Sequence, residues 1–379
     1  MNDPFIIANY NVISSGLFPP GITISDTTVY FKMENIIIYS NNPNNAGLTF
    51  SNVANAVLKN VTASLGIPSV DGFDLSNSYN NTIVNCKANN NYDGFLLSGS
   101  WNNTLVNNTA EGNQYMTIAL LSGSYNNTLT NNIMKNNPFL GFGIINSYNN
   151  YVINNSIINN GFKSTLATNL SVILVSAPNN TLQGNIIPID FILLSGSPNS
   201  TLSNNTFGGG LFFQTSSLNN DIQGPVTNNY VSNNRPLIYW HNTKGGTVPI
   251  GAGQIILMNT TNALITGQTL SNVMIEASNL YSNKTMVTNC QFLGIYFSIY
   301  SYKSNNFTVT NNNFFNSPVN IILGTNATIT NNHSNNATLA FIDFSNVTMK
   351  GNSVKYSKYG YYFESSKNIT VSKNVYKHI

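Results

Sequence analysis

The sequence predicts an all-β chain wound as a single-stranded, right-handed parallel β-helix of about sixteen coils. Three observations carry that expectation. An asparagine slot returns roughly every 20 to 24 residues, in TLVNN, TLTNN, YVINN, TLQGN and TLSNN, which end at Asn108, Asn132, Asn155, Asn185 and Asn205. The same slot is read at Asn60, Asn312, Asn332, Asn352 and Asn374, and cysteine takes it at Cys86 and Cys290. No helical period runs inside the repeat. Leucine-rich repeats share the period, but they would show L-x-x-L-x-L spacing and a helical return. Here the returns are rich in Asn, Ser, Gly and β-branched residues and poor in helix formers.

Each element of the coil follows from alternation. In TLVNN, Thr104 points out, Leu105 in, Val106 out, Asn107 out at the turn, and Asn108 inward. The inward position stays aliphatic at Ile83, Leu129, Val152, Leu182, Leu202, Val309, Ile329, Met349 and Val371, a ladder that stacks into one apolar core. GFLLSGS, IALLSGS and FILLSGS mark a second strand of the coil. Asparagine suits the inward slot because it tolerates the left-handed backbone, and its amide donates and accepts between stacked coils. Cysteine fits the same small site as a weak hydrophobe. Coils about 4.8 Å apart put Cys86 and Cys290 some 40 Å from each other, beyond the ~7 Å a disulfide can bridge.

The repeat divides the chain into an N-terminal cap with first coils (1–50), regular coils (51–205), irregular coils with longer loops (206–285) and regular coils again (286–379). The irregular stretch holds Gly208, Gly209 and Gly210 and the segment RPLIYWHNTKGGTVPIGAG, read as a protruding loop or a seam between two repeat arrays. The start, MNDPFIIANYNV, lacks the charged and apolar parts of a secretory signal. The last repeat stops mid-coil, so the sequence reads as a segment of a longer chain.

Composition narrows the function classes. Charged residues are 7%, against about 25% in an average soluble protein. A net charge of +3 is too small to imply nucleic acid, and no apolar run approaches the ~20 residues of a membrane span. Lys350, Lys355, Lys358, Lys367, Lys373 and Lys377 gather near the C-terminus, as a solvated last coil that discourages edge pairing or as a docking patch. Only 12 acidic residues leave acid denaturation little to act upon, which suits an extracellular and acidic setting.

The repeat G-[FI]-x-L-x-x-S-x-x-N-x-[TI]-[LIV]-x-x-N resembles those of the pectate-lyase-like superfamily. More narrowly it is similar to the carbohydrate-binding and sugar-hydrolysis repeats of periplasmic and archaeal surface proteins. Segment 233–272 is similar to an element of archaeal surface β-helix proteins. The resemblance implies a secreted, surface-displayed protein, often one module of a longer chain. Locally, Asp71-Gly72-Phe73-Asp74-Leu75-Ser76 resembles the Y-G-F-D-P-H signature of mannuronan C5-epimerases, and YDGF at 92–95 resembles their next coil. Asp74 falls on that family's catalytic aspartate. Asp71 stands in place of its tyrosine and Ser76 in place of its histidine, so both proton-transfer partners are missing.

Aligned repeats place Asp71, Asp93 and Asp190 in one column, with Thr117, Leu140 and Leu170 between, and Asp74 three residues beyond Asp71. Stacked carboxylates share a proton, bind Ca²⁺ or flank a sugar bond; an Asp before Gly also simply caps a turn. The same alignment stacks Tyr79, Trp101, Tyr125 and Tyr148, either as a sugar-binding stripe or as a self-stacking ladder. Tyr296, Phe297, Tyr300 and Tyr302 form a second aromatic cluster. His241, His333 and His378 lie outside metal-ligand spacing, so no metal site or cofactor is expected apart from the Ca²⁺ option. The column Thr82, Thr104, Thr128, Thr181 and Thr201 lacks a regular second column two residues on, which excludes an ice-binding face. Asn-x-Ser/Thr occurs at about eighteen places, including Asn60, Asn80, Asn102, Asn126, Asn179, Asn199, Asn306, Asn326 and Asn368. These turns would tolerate glycan.

The expectation is a non-enzymatic extracellular or cell-surface module, a stalk or adhesin about 70 Å long. Its partners would be a polysaccharide or surface glycan and other surface-protein domains, with no nucleic acid and no membrane insertion. The alternatives are a polysaccharide lyase, epimerase or hydrolase acting through Asp71, Asp74 and Asp93, and a viral or appendage fibre protein.

Overall fold

The computed structural model describes residues 4–14, 21–40, 46–66, 69–161, 170–215, 217–221 and 223–377; His378 lies outside them. The chain forms two compact units, one of Met1–Phe207 with Asn219–Val226, the other of Gly208–Leu218 with Thr227–Ile379. Both are parallel β-solenoids, about sixteen turns in all.

In the first unit each turn gives one short strand to each of three sheets. One turn supplies Thr82–Val84 to sheet A, Lys87–Asn89 to sheet B and Phe95–Ser98 to sheet C. Sheet A runs in register through Ile83, Leu105, Leu129, Val152, Leu182 and Leu202. Sheet B stacks Ala63, Ala88, Ala110, Met134 and Ile157. Sheet C contributes paired inward rows such as Phe73 over Phe95, whose rings stack at 4.6 Å, and Leu75 over Leu97. These side chains are essentially fully buried, and each large one stabilises the coil by about 1.5–3 kcal/mol.

Three successive corners of a turn lie five residues apart, and their chemistry is divided between two neighbours. Asn102, Asn107 and Gly112 adopt left-handed φ of 54°, 56° and 65°. The residue after each, Asn103, Asn108 or Asn113, is buried. The left-handed backbone therefore belongs to the first asparagine of the pair, and the ladder to the second. The sequence reading had assigned both tasks to one residue. Glycine can replace only the first, as at Gly112 and Gly184, because it frees the backbone but brings no amide.

The first unit thus holds three buried asparagine ladders where one was expected. They run Asn81–Asn103–Asn127–Asn150–Asn180, Cys86–Asn108–Asn132–Asn155–Asn185–Asn205 and Asn91–Asn113–Asn137–Asn160. Asn103 shows the pattern. Its N–H donates to Asn127 Oδ1 at 2.9 Å, its Nδ2 donates to the Ser78 carbonyl at 2.8 Å, and its Oδ1 accepts from Asn81 N–H at 3.0 Å. A buried amide left unpaired would cost about 1–3 kcal/mol. Asn60 does not hold the slot: it is the exposed left-handed residue, and Val61 faces Cys86, its N–H reaching Sγ at 3.4 Å.

In the second unit a seven-stranded sheet includes Asn305–Thr310, Thr325–Thr330, Ser345–Lys350 and Lys367–Ser372, all parallel. Val309, Ile329 and Met349 are buried there, whereas Val371, on the edge strand, is 50% exposed. Its asparagine ladder runs from Cys290 through Asn312, Asn332 and Asn352 to Asn374. Cys86 and Cys290 are both free and buried. A local departure from parallel stacking lies near the start of this unit, in the antiparallel pairing of Tyr230–Val231 with Arg235 and Pro236.

Candidate functional site

The acidic cluster lies where sheet C begins. Asp71 and Asp93 occupy the same position on neighbouring turns, since Phe73 pairs with Phe95 two residues on. Gly72 and Gly94 follow them, and a Cβ on Gly94 would come within 2.4 Å of the Thr117 carbonyl, so the backbones approach too closely for a side chain. Asp74 stands on the other face of the strand from buried Phe73 and Leu75.

Two residues of the expected column are displaced. The position after Asp93 is Met116, not Thr117, and the position after Leu170 is Phe191, not Asp190. One residue is inserted between Asn113 and Met116, and a register shift separates Leu170 from Val172. Asp190 instead turns inward, fully buried, and accepts from Asn160 N–H at 3.4 Å and from the Ser171 hydroxyl. It terminates the third asparagine ladder.

Asp71 and Asp93 are held by the turn that follows each. Asp71 Oδ1 accepts from Asp93 N–H at 3.0 Å, and Asp93 Oδ1 accepts from Met116 N–H at 2.8 Å. Asp74 Oδ1 accepts from the Ser76 hydroxyl at 3.1 Å. Burial pushes the Asp93 carboxyl up to about 7, reinforced by the charge of Asp71 and opposed by the Met116 amide. Burial likewise raises Asp71 to about 6, opposed by the Asp93 amide and reinforced by Asp74. Asp74 is raised by burial against its bond from Ser76. The charges that bear on this pair are carboxylates, so nothing cationic offsets the burial.

A row of rings that the sequence reading missed flanks the cluster. Tyr92 and Tyr115 stack at 5.4 Å, and Phe139 follows at 6.4 Å, tilted by 49°. The three are 38%, 37% and 40% exposed. Burial and the nearby charges of Asp93, Tyr115 and Asp71 raise the Tyr92 hydroxyl. Their 23- and 24-residue spacing in the sequence was the available signal. Beyond the aspartates the same side of sheet C turns apolar, with Met116, Ala119, Leu140 and Ile173 packed together.

The expected row Tyr79, Trp101, Tyr125 and Tyr148 is formed on four successive turns. The rings are nearly parallel, 3° to 5° apart in plane, with centroids 4.6, 5.9 and 5.4 Å apart. They cover one another's faces and present mainly edges. In the second unit Tyr296, Phe297, Tyr300 and Tyr302 are all half-buried and in mutual ring contact. His241 and His333 are exposed. Among the described residues no three His, Cys, Asp or Glu side chains gather in a group able to hold a metal ion. No helix there is long and apolar enough to cross a membrane.

Asn60, Asn80, Asn102, Asn126, Asn179, Asn199, Asn306, Asn326 and Asn368 all sit at left-handed corners, with φ between 53° and 61°. All are exposed.

Residues 5–133 match the family described as right handed beta helix region. No curated protein sequence matches the chain. Among solved structures, a tailspike protein of E. coli bacteriophage HK620 in complex with pentasaccharide is 11% identical, with 92% of this chain and 73% of that one covered, at a TM-score of 0.43. The catalytic unit of an α-1,3-glucanase from Streptomyces thermodiastaticus is 13% identical, with 97% and 64% covered, at 0.40. The surface adhesin PfbA of Streptococcus pneumoniae is 15% identical, with 73% and 84% covered, at 0.26.

Proposed function

We propose that this chain is a non-catalytic β-helix module, displayed outside the cell, that holds glycan against the outer side of sheet C. The observation that carries this is a row of rings offset by one turn from a pair of acceptors: Tyr92 precedes Asp93, while Val70 precedes Asp71 and Tyr115 precedes Met116. Tyr92 and Tyr115 lie beside Asp71 and Asp93, each carboxylate fixed through one oxygen by a backbone amide. Aromatic rings meet the apolar faces of sugars, and half-buried Asp71 offers its second carboxylate oxygen to a hydroxyl, while Asp93 is buried. The bonds to Asp93 N–H and Met116 N–H explain the two aspartates as turn caps, a role that needs no chemistry. Glycan-array binding by the wild type, lost on Tyr115→Ala at unchanged melting temperature, is the expected result. Undiminished binding by that variant would remove the site.

One observation favours a lyase, epimerase or hydrolase as second reading. Carboxyls raised to about 6 and about 7 are poised to exchange protons near neutral pH. A uronan- and glucan-degradation screen tests it. Equal product release by wild type and Asp74→Ala would end the Asp74 mechanism.

A further inference from the structure

One face of the second unit carries a row of acceptor sequences that the fold brings into line. Asn306-Phe307-Thr308, Asn326-Ala327-Thr328, Asn346-Val347-Thr348 and Asn368-Ile369-Thr370 lie in register on four successive strands. Phe307, Ala327 and Val347 point into the core. Alternation therefore puts the asparagine and the threonine of each triplet on the same outward face. The four asparagines are exposed and left-handed, with φ of 53°, 61°, 60° and 55°.

Their amides form an outer ladder. Nδ2 of Asn306 donates to Asn283 Oδ1 at 2.8 Å, Asn326 to Asn306 at 3.0 Å, Asn346 to Asn326 at 2.9 Å, and Asn368 to Asn346 at 3.0 Å. A primary amide has two N–H donors, and one is spent along the ladder. The other faces solvent, so replacing it leaves every ladder bond in place.

We infer that this row is a site of N-glycosylation in which neighbouring turns exclude each other. In the modification, Nδ2 attacks C1 of a diphosphate-linked oligosaccharide. The N–C1 bond forms, the C1–O bond breaks, the diphosphate leaves with the electron pair, and Nδ2 loses one proton. Successive turns are about 4.8 Å apart, while non-bonded carbon atoms need ~3.5–4.0 Å between centres. Branched, acetamido-substituted sugars on adjacent turns would interpenetrate; on alternate turns they have twice the room. The sheet thus becomes a sugar-covered face with glycan on every second turn.

The inference rests on the export assumed above, but its readout is separate from the glycan array. The full chain is secreted from a eukaryotic host, which supplies a diphosphate-linked oligosaccharide donor, and mapped by glycopeptide mass spectrometry. One tryptic peptide, bounded by Lys303 and Lys350, carries Asn306, Asn326 and Asn346 together, and also two sequons off the row, exposed Asn336 and fully buried Asn332. Asn306 with Asn346 should be found doubly occupied, and Asn306 with Asn326 severalfold less often than their separate frequencies imply. Asn336 should be occupied independently of Asn306. Thr328→Ala, an exposed change that removes the Asn326 acceptor, should raise occupancy at Asn306 and Asn346. Neighbours occupied together at the product of their frequencies, or a bare row, would overturn the inference.

Discussion

The two units meet the same problem, polar atoms at the corners of a stacked coil, with the same kinds of side chain in different proportion. In the first unit, asparagine fills three corners of most turns, and each amide closes both a donor and an acceptor of its neighbours. In the second unit, among the described residues, one buried corner column is an asparagine ladder. A hydroxyl column is common to both: Thr260 N–H donates to Ser282 and Ser282 N–H to Ser304 at 3.1 and 3.0 Å, as Ser78, Ser100 and Ser124 N–H donate to Ser100, Ser124 and Ser147 in the first unit. A hydroxyl has one proton to give where the amide has two. The second unit also buries Glu276, whose Oε1 accepts from Leu293 N–H at 2.9 Å. The comparison teaches that a long repeat conserves a job at each corner, and that one amide does the job of several simpler groups.

The largest effect expected is at a ladder residue. Asn132→Leu strips the partner from Asn108 N–H and from the Leu105 carbonyl, and should cost about 3 kcal/mol from two unpaired buried groups. Asn352→Leu does the same to Asn332 N–H and the Ile329 carbonyl. Matched losses in urea unfolding would mean the ladder works alike in both units. A much smaller loss at Asn352 would show that the second unit relaxes around the gap.

Next comes pH. Burial raises Glu276 to about 9, partly offset by the Leu293 amide, the Ser298 hydroxyl and the charge of Arg235. A carboxyl raised in the folded state stabilises fully below its unfolded value and loses that contribution as pH rises toward the folded value. Between about pH 4.3 and the folded value the protein should therefore lose stability as pH rises. Asp71 and Asp93 add the same sign over narrower windows, ending near pH 6 and pH 7. Unfolding at pH 5, 7 and 9 should show the slope in the wild type and a flatter one in Glu276→Gln. A wild type most stable at pH 9 would refute this.

Smaller still is the aromatic row. Tyr125→Ala removes two ring contacts, at 5.9 and 5.4 Å, and should cost about 1–3 kcal/mol, with no counterpart in the second unit. Thermal melts against Tyr148→Ala, which removes one contact, would separate stacking from burial.

The smallest change is expected at the cysteines. Cys86→Asn and Cys290→Asn restore the ladder residue and should shift stability by less than about 1 kcal/mol. Burial pushes the Cys86 thiol up to about 12 and raises that of Cys290. Both should resist a thiol reagent until denaturant is added; rapid native labelling of Cys86 would mean that the corner opens.

How much was legible depended on period. Leu105, Leu129 and Val152 announced the core because the coil length repeats, and Tyr79, Trp101, Tyr125 and Tyr148 aligned for the same reason. Asn60 was misplaced by one residue because N-V-T and N-N-T look alike until it is known which residue turns the backbone. Asp190 was misaligned because the shift between Leu170 and Val172 leaves no mark in the spacing. Tyr92, Tyr115 and Phe139 escaped because each precedes a different residue, although the period carries them.

From the amino-acid order alone follow the parallel stacking, the inward aliphatic rows and the existence of a polar ladder, because a repeat of constant length puts like on like. What only the tertiary structure decided is direction and partnership. It assigns the left-handed corner to one asparagine and the ladder to the next, ties Asp71 and Asp93 to the amides of the following turn, and lines four acceptor sequences along one face. Those outcomes depend on register between residues 20 to 24 apart, where a one-residue insertion turns an outward group inward.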